Sequence, residues 1–356
     1  MLKNNKTVNI HPISNLPNSP DMATSLEGSR PMPRRLVVTG SILILVLGMQ
    51  SGLMARGQTA GSTSQQNPPA PTFKAGVDMV RVAAVVRDRK GRFVQDLTAR
   101  DFEILDTGQA RPIADFRSDT TGVSVAILFD VSGSMEGQLP NAYEAARHVL
   151  SWLDERDEAA VFTFDTRLDQ RSPFTTGLKT LPEAVTKLVP FGATSVHDAI
   201  AQTAQRVGER EGRRRAVVVL TDGSDNASRL KPSEVAAAAS EIDVPIYIMG
   251  TVASIDNPAE PVGTLPVERS PLAGPLSDLA ARTGGHTFMV STPGQRSIAA
   301  RQIIDELRHQ YLIAFESSGK PGWHPLEIRA RKKDLTVRAR SGYIAGQSRP
   351  SLLGGS

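Results

Sequence analysis

Apolar stretches of two kinds alternate along the middle of the chain. Runs that are apolar at almost every position predict strands covered on both faces, and they lie at 123–129, 159–164, 216–220 and 245–250. Elsewhere apolar residues recur at helical spacing, which predicts helices at 139–153, 181–188, 196–207, 232–242, 276–282 and 297–309. This alternation predicts an α/β domain over residues 120–310, with a doubly wound, mostly parallel, Rossmann-like sheet.

The segments on either side of this domain carry shorter runs that alternate between apolar and polar positions. Such alternation is typical of strands with one exposed face. Residues 73–118 predict a small β unit before the domain, and residues 311–345 predict a second one after it. The first unit is too small to be an enzyme by itself.

The N-terminal part of the chain has the pattern of an export signal. Two arginines, Arg34 and Arg35, precede an apolar run that is short for a membrane span, so residues 36–55 predict a cleaved signal peptide or a retained membrane anchor. The protein is therefore expected to be exported, and to be periplasmic, secreted or anchored to the cell membrane. Composition assigns the remaining terminal segments: disorder or the start of the signal at 1–35, a flexible linker at 56–72 and a disordered tail at 346–356.

Composition and charge narrow the function classes. The 356 residues include 41 Lys and Arg against 37 Asp and Glu, so the formal net charge is only +4. That balance argues against a dedicated nucleic-acid protein. The chain has no cysteine, which excludes disulfides, thiolate metal sites and a cysteine nucleophile.

Hydroxyl and carboxylate side chains follow the predicted strands. Asp130, Ser132 and Ser134 come directly after the first strand of the domain. Asp222 follows a later strand, and Thr194 lies in a loop between the two. Because the carboxyl ends of parallel strands line one edge of a sheet, these loops are expected to meet there. Their oxygen atoms suit Mg²⁺ or Mn²⁺ better than zinc.

These residues stand in the runs ILFDVSGSM, FGATSVHDAI and TDG, in that order. With them, the segment 122–309 resembles a von Willebrand factor type A domain with a metal ion-dependent adhesion site. The resemblance implies that Ser132, Ser134 and Thr194 approach the ion through hydroxyls, with Asp130 and Asp222 acting directly or through water. It also implies an open coordination position, which an acidic residue of a protein partner fills.

The flanking segments resemble a bacterial subgroup known from acidobacterial proteins. The resemblance lies in VVRDRKGRFVQDLTARDFEILDTG before the domain, and in YLIAFESSG and RARSGY after it. This subgroup implies no particular activity.

The expected function is divalent-metal-dependent protein binding, as an adhesion or scaffold module and not as an enzyme. Two alternatives remain open. The protein could be an assembly or maturation subunit that partners an ATPase or an enzyme. A metal-assisted hydrolase would need a general base poised on metal-bound water, and the sequence supplies no convincing one.

Some neighbouring residues have both structural and functional interpretations. Asp225 and Asn226 are expected to serve the turn after TDG, although they could also support the ion. His197 is expected on a helix surface. The basic cluster at 213–215 is expected to cap a helix end in solvent.

The Pro-rich segment 252–274 leaves the same edge of the sheet as the predicted metal site. It is either disordered or a loop over the site. In the second case, Asp256 or Glu260 could occupy the open coordination position.

Overall fold

The structure is a computed structural model that describes residues 78–118, 122–210, 212–251, 272 and 274–346. The export segment, the linker, nearly all of the tail and the segment with Asp256 and Glu260 lie outside these residues. What the sequence predicts for them stays a prediction.

Strands of three sheets alternate with helices along the described residues. The strands are β1 (Met79–Arg87), β2 (Phe102–Asp106), β3 (Gln109–Arg111), β4 (Ile113–Arg117), β5 (Val123–Asp130), β6 (Glu158–Phe164), β7 (Leu168–Thr176), β8 (Arg214–Thr221), β9 (Ile246–Thr251), β10 (Thr287–Val290), β11 (Gln310–Glu316), β12 (Gly322–Ala330), β13 (Thr336–Ala339) and β14 (Gly342–Ala345). The α-helices are α1 (Leu139–Trp152), α2 (Glu183–Thr186), α3 (Val196–Gly208), α4 (Pro232–Ile242), α5 (Pro275–Arg282) and α6 (Pro293–Arg308). None of these helices is long and apolar enough to cross a membrane, a finding that concerns the described residues alone.

Six strands form the central sheet, in the order β10-β9-β8-β5-β6-β7. Neighbouring strands are parallel except β6 and β7, which are antiparallel. Helices α1 and α6 pack on one face, and α3, α4 and α5 pack on the other. The inner strands are therefore buried at nearly every position, which explains their continuous apolar runs. The predicted doubly wound, mostly parallel α/β fold is confirmed.

The chain changes direction across this sheet between β5 and β8. From β5 it continues to β6 and β7 on one side, and it then crosses to β8, β9 and β10 on the other. The crevice beyond the carboxyl ends of β5 and β8 is thus a topological switch point, where open α/β sheets bind ligands. Phe129 pairs with Leu220 in the register, so the next residues, Asp130 and Thr221, lie side by side at this crevice.

Helix α6 is fixed at both of its ends. At the start, the Thr292 hydroxyl accepts a hydrogen bond from the Gln295 N–H (3.2 Å), and Gln295 Oε1 accepts one from the Thr292 N–H (3.1 Å). This capping box satisfies donors that the first turn leaves free. At the far end, the buried guanidinium of Arg214 donates to the carbonyls of Leu307 and Arg308. The basic cluster at 213–215 therefore does cap a helix end, but Arg214 does so in the interior and not in solvent.

The segments before and after the α/β domain form one flanking β unit. Strand β1 pairs with β11 and β13, and β2 pairs with β12, all antiparallel. The two sheets have the orders β13-β1-β11-β4 and β14-β12-β2-β3. They enclose one apolar core, to which Val82 and Phe102 contribute from before the domain and Phe315 and Ile328 from after it. The sequence predicts β structure in both segments, but it does not show that the two are partners.

Four elements of the α/β domain differ from the prediction. Helix α6 begins at Pro293, four residues before its predicted start. Strand β7 was not expected, because it lies at the edge of the sheet and most of its residues are exposed. Strand β10 has only four residues and so gives little signal. The helix predicted at 181–188 is reduced to α2, a single turn.

Candidate metal centre

Asp130 ends strand β5, and its side chain is fully buried. Its Oδ1 accepts hydrogen bonds from the Ser132 N–H (3.0 Å) and the Ser132 hydroxyl (2.6 Å). Its Oδ2 accepts one from the Thr221 hydroxyl (2.6 Å). Asp130 therefore joins the loop after β5 to the end of β8.

The two predicted serines lie next to each other. Their hydroxyl oxygens are 3.1 Å apart, with Ser132 buried and Ser134 exposed. Ser134 lies in a short 3-10 turn at Gly133–Met135, and Met135 is buried in the core below it. The turn thus places Ser134 at the surface, with its hydroxyl next to the Ser132 hydroxyl that donates to Asp130.

The loop that leads to Thr194 lies against the loop after β5. The Gly133 N–H donates to the Gly192 carbonyl (3.0 Å), and the Phe191 N–H donates to the Val131 carbonyl (3.0 Å). Gly192 has a φ of +85°, a left-handed conformation that glycine adopts without strain. Thr194 follows Gly192 by two positions, so these bonds hold it near the loop that carries Ser132.

Asn226 fixes the position of Thr194. Its side-chain Oδ1 accepts a hydrogen bond from the Thr194 N–H (2.8 Å). The Thr194 carbonyl accepts from the N–H groups of Asn226 and Ala227, each at 3.0 Å. From the sequence, Asn226 is expected to serve the turn after TDG, where Asn is a common residue. Two of these three hydrogen bonds involve Asn226 itself, so Asn226 also joins two loops of the site.

Asp222 is the first residue after β8 and is half-buried. Its Oδ1 accepts a hydrogen bond from the Ser224 N–H (2.9 Å). Its negative charge is close enough to raise the pKa of Asp130. The structure thus brings Asp222 to the same edge of the sheet as Asp130.

Burial raises the pKa of Asp130 from an ordinary value of 3.8 to about 6. Hydrogen bonds from Ser132 and Thr221 favour the ionised form and oppose this rise, whereas the charge of Asp222 adds to it. The ionised Asp130 is therefore a desolvated charge with a second carboxylate nearby. A divalent cation would compensate both charges.

His197 is buried, although the sequence predicts it on a helix surface. Its Nδ1 lies 2.6 Å from Asp225 Oδ2, which also accepts hydrogen bonds from the His197 N–H (3.1 Å) and the Ser228 hydroxyl (2.7 Å). Burial alone would raise the pKa of Asp225, but these hydrogen bonds outweigh it and hold the pKa below its ordinary value. The prediction was wrong because the partner of His197 lies on a distant loop.

The oxygen donors predicted for this edge are of the kinds that suit a hard divalent cation. They are the hydroxyls of Ser132, Ser134 and Thr194 and the carboxylates of Asp130 and Asp222, and Mg²⁺ prefers oxygen ligands of these kinds. Across the part of the chain that the structure describes, no three His, Asp or Glu side chains group in a way that could hold an ion. An ion bound here would therefore depend on the hydroxyls.

Comparison with known proteins gives one family and several structures of similar fold. Residues 125–224 match the family model of the von Willebrand factor type A domain. A search of curated proteins finds no match.

Three of the similar solved structures come from different organisms. An aerotolerance-related membrane protein from Bacteroides fragilis is 20% identical, with 52% of this chain and 98% of that one covered and a TM-score of 0.42. A von Willebrand factor type A protein from Catenulispora acidiphila is 14% identical, with coverages of 78% and 76% and a TM-score of 0.41. Proximal thread matrix protein 1 from the mussel byssus, described with a zinc-occupied MIDAS motif, is 20% identical, with coverages of 57% and 50% and a TM-score of 0.40.

The doubly wound sheet defines the class of the central domain as a Rossmann-like α/β domain. On the match over residues 125–224, the chain carries a von Willebrand factor type A domain. Domains of this family are generally non-catalytic adhesion or scaffold modules.

Proposed function

We propose that this protein binds a protein partner through a divalent cation held at the switch point of the central sheet. The observation that carries the proposal is the convergence of three loops at the carboxyl ends of β5 and β8. Direct hydrogen bonds join them: the Thr221 hydroxyl donates to Asp130 Oδ2, and the Thr194 N–H donates to Asn226 Oδ1. An arrangement of this kind presents its oxygen atoms as one preformed set of donors.

The proposed ligands are Asp130, Ser132, Ser134, Thr194 and Asp222, and the proposed ion is Mg²⁺ or Mn²⁺. Both oxygens of Asp130 already accept hydrogen bonds within the protein, which favours a contact to the ion through water over a direct one. When bound, the ion supplies an electrophilic centre with a coordination position open to the partner. Hydroxyl ligands are neutral, so they leave much of the ion's charge for a further anionic ligand.

The proposed partner is a protein that presents an Asp or Glu side chain. A carboxylate completes both the coordination and the charge of the ion. We further propose that this interaction takes place outside the cytoplasm, because an apolar run follows Arg34 and Arg35 in the pattern of an export signal.

Titration of the full chain with Mg²⁺ in a calorimeter tests the ion site. Asp130→Ala and Ser134→Ala should each weaken Mg²⁺ binding by at least tenfold, the usual scale for loss of a supporting or ligating group. Asp115→Ala, which removes an exposed carboxylate from the flanking β unit, should bind Mg²⁺ like the wild type. Ser134 is exposed, so its variant reports on the ion even if Asp130→Ala unfolds. Wild-type affinity in Ser134→Ala would contradict the assignment.

A crosslinking pull-down from cells with and without a chelator tests the partner interaction. The expected result is a crosslinked protein that is captured in Mg²⁺, is lost in EDTA and is absent with Ser134→Ala. A partner captured equally well in EDTA would rule out a metal-dependent interaction.

A further inference from the structure

Two apolar side chains beside the candidate metal centre are almost fully exposed. Val189 and Phe191 are each 81% exposed, whereas the other exposed large hydrophobic residues in the described part of the chain range from 36% to 56%. Single exposed apolar residues are ordinary on protein surfaces, but neighbouring ones at a binding site mark contact surfaces.

Backbone contacts place these side chains at the rim of the site. The Phe191 N–H donates to the carbonyl of Val131, the residue between Asp130 and Ser132. The following residue, Gly192, accepts a hydrogen bond from the Gly133 N–H. Phe191 is therefore bonded through its backbone to the loop that carries the proposed ligands.

The residues on either side of Val189 and Phe191 are fixed in position, and this keeps the two side chains exposed. The preceding residue, Leu188, packs against the hydrophobic core of the domain. The left-handed conformation of Gly192 turns the chain directly after Phe191. The segment is thus fixed at both of its ends, and the two side chains between those ends are held out of the core.

We propose that Val189 and Phe191 form an apolar contact surface that selects partners in which the acidic residue has an apolar neighbour. This inference rests on the proposed function, since the acidic residue is the one that ligates the ion. The ion would supply the polar anchor, and the two side chains would recognise the residue beside that anchor. Phenylalanine is one of the residue types enriched in the buried core of protein interfaces.

The size of the surface favours such a partner over a second copy of this chain. Two side chains of these sizes offer roughly 300 Å², whereas a stable interface buries about 800 Å² on each partner. The surface is therefore too small to hold a dimer alone. It is large enough to discriminate among carboxylates that the ion already holds in place.

Selection from a random peptide library displayed on phage tests the inference without a known partner. The full chain is immobilised in Mg²⁺, and bound phage are eluted with EDTA. Wild type should enrich peptides that carry Asp or Glu with Phe, Leu, Ile or Val within two positions. The variant Val189→Ser/Phe191→Ser should still enrich acidic peptides but lose the apolar preference. Selected peptides should bind this variant at least tenfold more weakly.

Two controls isolate the effect of the surface. Ile298→Ser removes another exposed apolar side chain, 56% exposed on helix α6, and should keep the wild-type preference. Mg²⁺ affinity, measured by calorimetry, should be the same in the double variant and the wild type within about twofold, because the N–H and carbonyl groups that join the loops are retained.

The possible results separate this inference from the proposed function. Acidic peptides without an apolar preference in the wild type would overturn the inference and leave metal-dependent binding intact. If EDTA elutes no acidic peptides at all, the proposed function fails, and the inference fails with it. A wild-type dimer that the double variant abolishes in size-exclusion chromatography would show that a second copy covers the surface, which would also overturn the inference.

Discussion

At the scale of single residues, Asp130 combines a negative charge with complete burial. Because its pKa is raised to about 6, the carboxyl group is largely protonated at pH 5 and ionised at pH 7. The bound ion needs the ionised form. The acidity of the medium should therefore control the proposed site through this one residue.

We expect the affinity for Mg²⁺ to rise from pH 5 to pH 7, by up to about tenfold per pH unit below the pKa. The stability of the ion-free protein should change in the opposite direction and decrease as the pH rises. In the folded, ion-free protein Asp130 loses its proton near pH 6, whereas in the unfolded chain it does so near pH 3.8. Between these two pH values the folded state binds more protons, so the free energy of unfolding should fall by about 3 kcal/mol as the pH rises. Thermal unfolding with and without Mg²⁺ measures both effects. Stabilisation by Mg²⁺ that is equal at pH 5 and pH 7 would contradict the assignment.

Asn226 should affect the ion without touching it, because it holds Thr194 in place. Asn226→Ala removes the acceptor for the Thr194 N–H and should weaken Mg²⁺ binding by about 10- to 100-fold. Asn226→Asp keeps an oxygen acceptor at this position and should restore most of the affinity. Calorimetric titration of both variants checks the prediction. A role confined to the turn would give two variants with similar Mg²⁺ affinity.

The site residues differ in how well the sequence indicates them. Asp130, Ser132 and Ser134 form a local motif behind an apolar run, and the ends of parallel strands place Asp222 near them. Asn226 and His197 escaped the prediction because their partners, Thr194 and Asp225, lie on other loops. Local spacing contains no information about which loop a side chain will reach.

At the scale of elements, helix α6 joins the two parts of the molecule. Glu306 on this helix is fully buried. It accepts hydrogen bonds from Arg87 of β1 (2.9 Å) and from Arg338 of β13. The helix therefore packs on the central sheet and is also held by two charges of the flanking β unit.

Loss of this buried charge should destabilise the protein. Glu306→Gln should lower the free energy of unfolding by about 2 kcal/mol, less than for a fully enclosed ion pair because both arginines reach solvent. Asp305→Asn, next to it, removes a more exposed ion pair with Arg301 and should cost less than about 0.5 kcal/mol. Urea denaturation measures both variants. Equal effects would mean that Glu306 does not act as a link.

The sequence predicts best those elements whose apolar pattern is typical of a single type of secondary structure. Helix α4 begins and ends where its periodicity indicates, at Pro232 and Ile242, since a proline stands at its first position. Strand β7 was missed because an edge strand with exposed polar residues lacks the apolar run of its neighbours. Burial therefore determines how readily a strand can be predicted.

At the scale of the whole molecule, the flanking β unit should lose its structure as one body. Phe315 of β11 is fully buried in a core that it shares with β1, so Phe315→Ala should lower the stability of this unit by about 3–5 kcal/mol. Hydrogen exchange should then speed up in β1 as well as in β11, although the whole α/β domain separates the two strands in the sequence. Phe162→Ala in the central domain is the control for unfolding elsewhere. Unchanged exchange in β1 would indicate two independent units.

The pairing of β4 with β11 also has a consequence for the order of folding. These strands flank the α/β domain in the chain, so a flexible connection between them would make their meeting costly in loop-closure entropy. Once the domain has folded, its first and last residues lie side by side. Strands β4 and β11 can then pair without a further loss of loop-closure entropy. The α/β domain is therefore expected to fold first, and the flanking β unit to assemble on its joined ends.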